Sequence, residues 1–160
     1  MITDPDILLD NGFMAQHVAS PELVLDKAAI IGRCVARIRE EYAKDLPTFS
    51  ADPCRQDAAI CNLQRACQAC IDIGLILVRK QRLDAPQSSS DVFEILRQAG
   101  EIDSGLAKRL QRLVSFHYIA VYDYERMEIL DLVQVIEKQL DNLLEFKSYL
   151  LVAAENLTEI

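Results

Sequence analysis

The sequence predicts an all-α protein, an antiparallel bundle of about five helices. Apolar residues recur at alternating intervals of four and three along most of the chain, which is the spacing of one helix face. Glycine and proline are scarce, five of each in 160 residues, so long helices are favoured over many turns. The connections between the apolar stripes are short, which favours antiparallel neighbours.

The first predicted helix begins at Ser20-Pro21, because serine caps a helix and proline suits its first position. It ends at Leu46-Pro47, and a loop runs from there through Pro53. The second helix runs from about Arg55 to about Lys80. The apolar stripe of the first helix is Val24, Ala28, Ile31, Val35, Ile38 and Tyr42. That of the second is Ala59, Leu63, Ala66, Cys70, Ile73 and Leu77.

Three shorter helices are predicted beyond the loop formed by residues 84–89. Ser90 can cap the third helix and Gly100 can stop it. Asp103 can cap the fourth helix, and residues 123–126 form a junction to the fifth. The fourth helix carries Leu106, Leu110, Leu113, His117 and Val121 on one side. The fifth carries Met127, Leu130, Val133, Ile136, Leu140, Leu143 and Leu150.

Composition restricts the possible partners. Residues 21–160 are predicted to form one domain, preceded by an extension of residues 1–20. The formal charge is −8, so any contact with nucleic acid must be local. No apolar run reaches the length that spans a membrane and no signal peptide is visible, so a cytoplasmic protein is expected. The five cysteines are expected to be reduced, and Cys67-x2-Cys70, lacking a second pair, predicts no metal site.

The segment Phe116-His117-Tyr118-Ile119-Ala120-Val121-Tyr122-Asp123-Tyr124 concentrates the reactive side chains of the chain. It holds one of the two histidines and three of the five tyrosines. His117 and Tyr124 are two helical turns apart and would share a face of a continuous helix. An imidazole beside phenols suits proton transfer or phosphate contact. The alternative is an aromatic helix end that packs on a neighbour.

Basic and polar residues elsewhere could support this segment. Lys108, Arg109 and Arg112 form a small basic cluster before His117 that could contact RNA. Arg79, Lys80 and Arg82 form a second cluster, and the alternative for both is a solvated helix face. Polar side chains also interrupt the apolar rows of the second helix, where they could orient the site or form a structural network. They are Asn62, Arg65 and Asp72.

The segment resembles the motif of the HepT-like family of the HEPN superfamily, Phe-Arg-Asn-Ile-Ala-Val-His-(Asp/Glu)-Tyr, which contains Arg-x4-His-x-Tyr. The matching residues are Phe116, Ile119, Ala120, Val121, Asp123 and Tyr124. His117, Tyr118 and Tyr122 stand where the family has Arg, Asn and His. A second register pairs Arg112 with His117 at the same spacing, but its tyrosine position falls on Ile119, so the first register is preferred.

The resemblance extends over roughly residues 23 to 150. Residues 55–58, 62–67 and 71–72 resemble the second helix of the family, and Pro86-Gln87-Ser88-Ser89 resembles its central loop. Glu128-Ile129-Leu130 and the final amphipathic helix resemble its tail.

The resemblance implies a homodimer whose motif helices meet across the two-fold axis and form one cleft. Such proteins are toxins that cut RNA without a metal ion or other cofactor. Their antitoxin is a minimal nucleotidyltransferase (MNT), which adds AMP to the motif tyrosine, here Tyr124. The departures from the motif weaken the nuclease, because a phenol with a pKa of ~10 at Tyr122 is a poor base. His117 also lacks the guanidinium fork of the family's arginine.

Three hypotheses follow for the function. The first is a divergent, metal-independent ribonuclease toxin with His117, Tyr122 and Tyr124 in its site. The second is an inactive HEPN protein that binds a nucleotidyltransferase or is modified by it. The third is a helical interaction module unrelated to toxins, which the number of matching positions disfavours.

Overall fold

A computed structural model describes residues 21–157, and these residues form seven α-helices without a β-strand. The helices are α1 (Pro21–Tyr42), α2 (Leu46–Ala51), α3 (Pro53–Lys80), α4 (Ser89–Gln98), α5 (Ser104–Tyr122), α6 (Ile129–Lys138) and α7 (Leu140–Leu157). A 3-10 turn, Tyr124–Arg126, joins α5 to the loop before α6. The all-α prediction is confirmed, whereas the predicted extension and the Ser20 cap lie outside the described residues.

The helix count differs from the predicted five at two places. The predicted loop after Leu46 contains α2, whose start is capped by Asp45 through the Thr48 backbone N–H at 3.2 Å and the Thr48 hydroxyl at 2.7 Å. The predicted fifth helix is divided at Gln139 into α6 and α7. A six-residue helix has too few turns to show an apolar period, so its local signals are the Asp45 cap and the proline in its first turn, Pro47.

The helix caps explain most of the observed boundaries. Asp103 caps α5 as predicted, accepting from the Leu106 N–H at 2.7 Å. The cap of α4 is Ser88 rather than the predicted Ser90, because the Ser88 hydroxyl accepts from the Asp91 N–H at 3.2 Å. Gly100 ends the turn after α4 with a φ of 77°, a conformation that glycine adopts without steric cost. Local capping chemistry therefore sets where α4 and α5 begin.

The helix α3 forms the centre of the fold. Its residues Ile71–Val78 are all buried, so every face of this stretch meets protein. At Gly74 the neighbouring helix comes very close, since a Cβ there would lie 2.4 Å from Val92 Cγ1. By length and composition α3 could cross a membrane, contrary to the sequence expectation, but 72% of its most apolar window is buried inside the protein. A core helix has this character.

Contacts at the helix ends fix the directions of the remaining helices. Lys27 on α1 contacts Asp72 on α3, and Arg55 near the start of α3 reaches the Glu41 carbonyl near the end of α1, so the two helices are antiparallel. Gln81, just after α3, bonds to Glu101, just after α4, which makes those two helices parallel.

Candidate functional site

The end of α5 carries the motif residues and the place where the helix stops. Asp123 leaves the helix with φ −136° and ψ 54°, while its N–H still bonds to the Ile119 carbonyl at 3.0 Å. Its carboxylate pairs with Arg126 at 3.2 Å across the 3-10 turn. Tyr122 is thus the last residue of α5 and Tyr124 the first of the turn. The continuous helix face assumed for His117 and Tyr124 is therefore interrupted between them.

His117 lies inside the protein, with 2% of its surface exposed. Its Nδ1 atom is 3.2 Å from the Val114 carbonyl oxygen. A carbonyl oxygen only accepts, so in this contact the Nδ1–H group is the donor. The imidazole also contacts the ring of Tyr118, with centroids 4.6 Å apart. Within a single chain, His117 is positioned by its own helix and shielded from solvent.

Two tyrosine rings connect His117 to the surface. The Tyr118 ring stacks on Tyr122 with centroids 5.7 Å apart and an angle of 24° between planes. The Tyr118 phenol is held by the buried Ser89 hydroxyl on α4, 2.9 Å away. Tyr122 itself is 65% exposed. The sequence did not single out Ser89, whose partner lies 29 residues further along the chain.

Tyr124 stands apart from this stack of rings. It is 49% exposed and lies beyond the end of α5. A phenol in this position can be reached by the active site of another protein. The structure therefore brings His117, Tyr118 and Tyr122 into one row and leaves Tyr124 accessible beside it.

The predicted RNA-contacting cluster is divided by the fold. Lys108 and Arg112 are exposed and line a shallow cavity of about 420 Å³ along the outer face of α5. Arg109 instead turns toward α7, where its Nε donates to Asn142 Oδ1 at 2.8 Å and a terminal nitrogen lies 3.4 Å from Glu145. Two of the three cations thus remain available on one surface.

The predicted supporting residues Asn62, Arg65 and Asp72 lie on a groove between α1 and α3. The Asp72 carboxylate accepts from Lys27 Nζ at 2.6 Å and from Gln68 Nε2 at 2.8 Å. Asn62 donates to the Ala58 carbonyl of its own helix at 2.8 Å. None of these hydrogen bonds reaches α5, so support of the motif by these residues stays a prediction. An acidic residue within an apolar row of a helix indicates that it needs a partner. The sequence does not show that the partner of Asp72 is Lys27.

The thiols and carboxylates offer no metal centre in the part of the chain that the structure describes, where no group of three or more potential ligands converges. Cys67 and Cys70 are buried, and burial raises the pKa of the Cys67 thiol to about 12. The same desolvation holds the pKa of Cys70 well above its ordinary value. Both cysteines are core residues, as the sequence predicted.

The fold and this motif together define a helical HEPN-type domain. A family model described as Ribonuclease HepT-like matches residues 31–150. The chain belongs to the ribonuclease HepT-like family.

Similar proteins of known structure or activity support this membership. The chain is 38% identical over 125 residues to the mRNA nuclease HepT of Shewanella oneidensis, a match that covers 78% of this chain and 93% of that protein. It resembles the tri-AMPylated Shewanella oneidensis HEPN toxin in complex with MNT antitoxin, with 38% identity, a TM-score of 0.76, and coverage of 79% and 95%. A toxin–antitoxin structure with AMP-PNP gives 37% identity, a TM-score of 0.77, and coverage of 80% and 97%.

Proposed function

We propose that this chain is the toxin of a toxin–antitoxin pair, a metal-independent ribonuclease that a minimal nucleotidyltransferase silences by adding AMP to Tyr124. The observation that carries the proposal is the accessible Tyr124 phenol at the end of the motif helix, in a family with an AMPylated relative. The pair acts in the cytoplasm.

The position of Tyr124 suits it as the acceptor. Its phenol oxygen attacks the α-phosphate of ATP, the bond to pyrophosphate breaks, and the phenol proton passes to a base of the partner. The adduct adds a negative phosphodiester beside a site that must take up RNA, and it repels and obstructs that substrate. Tyr122 is more exposed, but its ring is stacked on Tyr118, which restricts the reach of its phenol.

The nuclease reaction needs two chains. We propose a homodimer in which two α5 ends form one cleft. There His117 Nε2 takes the proton of the ribose 2′-hydroxyl, the 2′-oxygen attacks phosphorus, and the 5′-oxygen leaves with a proton from the second His117. Tyr122 donates a hydrogen bond to the phosphate. Since His117 is shielded in the single chain, dimer formation must accompany a local opening of α5.

A second candidate is an inactive HEPN protein that retains the nucleotidyltransferase partner. Two observations favour it. His117 is buried, and Tyr122 is a phenol at the position of the family's base. In this case Tyr124 would still accept AMP, but RNA would remain intact.

The decisive experiment for the partner is a modification map. The chain is incubated with the cognate nucleotidyltransferase and ATP, and peptides are analysed by mass spectrometry. We expect AMP on Tyr124 and its loss in Tyr124→Phe, with modification preserved in the matched variant Tyr122→Phe. Modification confined to Tyr122, or none with an active partner, contradicts the assignment.

The decisive experiment for the nuclease is cleavage of RNA in the presence of EDTA. We expect weak activity that His117→Gln abolishes while light scattering still gives a mass near twice 18.1 kDa. The paired substitution His117→Arg with Tyr122→His should strengthen cleavage. Intact RNA with the unsubstituted dimer selects the inactive candidate, and cleavage that survives His117→Gln places the chemistry elsewhere.

A further inference from the structure

The groove between α1 and α3 is a concentrated positive site on an acidic protein. Its volume is about 560 Å³ and the whole chain has a formal charge of −8. The only carboxylate among its lining residues is Asp72, whose charge is offset by Lys27 at 2.6 Å. The cations that line it are Lys27, Arg33, Arg37 and Arg65. The local field therefore opposes the charge of the whole molecule.

Two of these cations are available for a ligand. Arg33 and Arg65 are exposed, and neither forms an ion pair with any residue between 21 and 157. Both line the groove together with Cys34, and their charges oppose the rise in the pKa of the Cys34 thiol that burial causes. Arg37, by contrast, is paired with Glu41 at 3.0 Å. Two guanidinium groups, one from α1 and one from α3, thus line a groove that is partly apolar.

The rim of the groove is held in place by hydrogen bonds to the buried Asp72 side chain. Asp72 is 6% exposed, and its two oxygens accept separately from Lys27 and Gln68. This fixes one ammonium and one amide at the groove edge, where both can also meet a ligand. Ile30 and Ala69 supply the apolar part of the lining. The arrangement is preorganised, which lowers the entropic cost of binding.

The groove lies toward the same end of the bundle as the candidate site. The helices α3 and α4 are parallel, and Gly74 on α3 lies opposite Val92 on α4. Arg65 precedes Gly74 by nine residues, about 13 Å of helix, and so lies toward the end of the bundle where α4 begins. That end is also where Ser89 meets Tyr118 of the motif helix. The groove itself lies on the side of α3 that faces α1.

We infer that this groove binds the phosphate backbone of single-stranded RNA, with Arg33 and Arg65 as the main contacts. The inference rests on the proposed ribonuclease function. Guanidinium groups hold phosphate oxygens in a bidentate manner, and arginine also stacks on unpaired bases. The groove is of nucleotide-sized volume and concave, whereas a docking face for an acidic protein is broader and flatter.

The test is RNA binding by Arg33→Ala/Arg65→Ala. The probe is a fluorescent single-stranded oligonucleotide with 2′-O-methyl groups, which cannot be cleaved because the attacking hydroxyl is blocked. Anisotropy gives Kd over a series of salt concentrations. We expect Kd to rise about tenfold or more and the slope of log K against log salt to fall by about 1.4, as for two lost phosphate contacts.

The matched control is Lys44→Ala/Lys138→Ala, which removes the same charge from exposed positions outside the groove. It should bind the probe like the unsubstituted protein. Equal Kd and slope for Arg33→Ala/Arg65→Ala and for the unsubstituted protein overturn the inference. The same holds if RNA binding is unchanged but binding to the nucleotidyltransferase is lost, since the groove is then a protein interface.

Two further outcomes separate this inference from the proposed function. If the unsubstituted protein cleaves unmodified RNA and Arg33→Ala/Arg65→Ala binds and cleaves it equally well, the groove is refuted as an RNA-binding site. The proposed nuclease function then still stands. Groove-dependent binding without any cleavage supports the groove and refutes the nuclease.

Discussion

The middle of α3 and the end of α5 place opposite demands on their residues. From Ile71 to Val78 every side chain is buried, and Gly74 lets α4 approach to contact distance. From Tyr122 to Arg126 no residue is buried, and the helix gives way to a 3-10 turn. The buried stretch of α3 stabilises the fold, whereas the exposed end of α5 is accessible to other molecules. His117 combines features of the two regions, because it belongs to the motif at the end of α5 and is as buried as the core residues.

The largest expected effect comes from the core. Phe93 is fully buried and packs edge-to-face on Phe146, with centroids 5.7 Å apart. We expect Phe93→Ala to lower the free energy of unfolding by about 3–5 kcal/mol, through lost burial and the cavity left behind. Urea denaturation followed by circular dichroism measures this. The matched substitution Tyr124→Ala should change the same quantity by less than about 0.5 kcal/mol, and similar losses in both variants would erase the contrast between the regions.

An intermediate effect is expected at the ion pair between α1 and α3. Lys27→Met leaves the Asp72 carboxylate buried with Gln68 as its remaining donor. Because Lys27 keeps a quarter of its side chain exposed, we expect a loss of about 2–3 kcal/mol, below that of a fully buried pair. Adding Asp72→Asn should restore part of the loss, since no uncompensated charge remains. A double-mutant cycle from thermal unfolding measures the coupling, and additive losses would show that the pair contributes nothing to the fold.

The smallest expected effect is that of Tyr149→Phe on the pH dependence of stability. Burial, and secondly a hydrogen bond to Glu101, raises the pKa of Tyr149 above its ordinary value. A raised folded-state pKa contributes stability that is fully present below the unfolded value of ~10 and is lost as pH rises through the folded value. Tyr149→Phe should therefore flatten the fall in stability above pH ~10. A slope in Tyr149→Phe equal to that of the unsubstituted protein would contradict the assignment.

The sequence predicted what depends on local chemistry. The apolar period located the long helices, and Asp103 and Gly100 located boundaries of α4 and α5, because caps act within one turn. The division at Gln139 escaped prediction, since neither proline nor glycine is present there. For the candidate site, the sequence predicted His117 and Tyr122 but not how deeply each side chain is buried. The depth of a side chain depends on which helices cover it, and the periodicity of one helix does not contain that information.

Contacts between residues distant in sequence also could not be predicted. Asp72 and Lys27 are 45 residues apart, and nothing local to either residue indicates the other. The basic groove could not be predicted for the same reason. Arg33 and Arg65 lie on different helices and line one groove only when α1 packs on α3. The cluster at Lys108, Arg109 and Arg112 was visible because it is contiguous, yet Arg109 is drawn to α7.

The five cysteines differ in burial, so they should react with a thiol reagent in two phases. Cys54 and Cys61 are exposed, whereas Cys34, Cys67 and Cys70 are enclosed. A thiol reagent applied to the native chain should label the two exposed sulfurs at once. The other three can react only when the surrounding helices separate, because the thiolate is the reactive form and burial raises the pKa of Cys67 and Cys70 in the closed bundle. The delay between the two phases therefore measures how often the centre of the bundle opens.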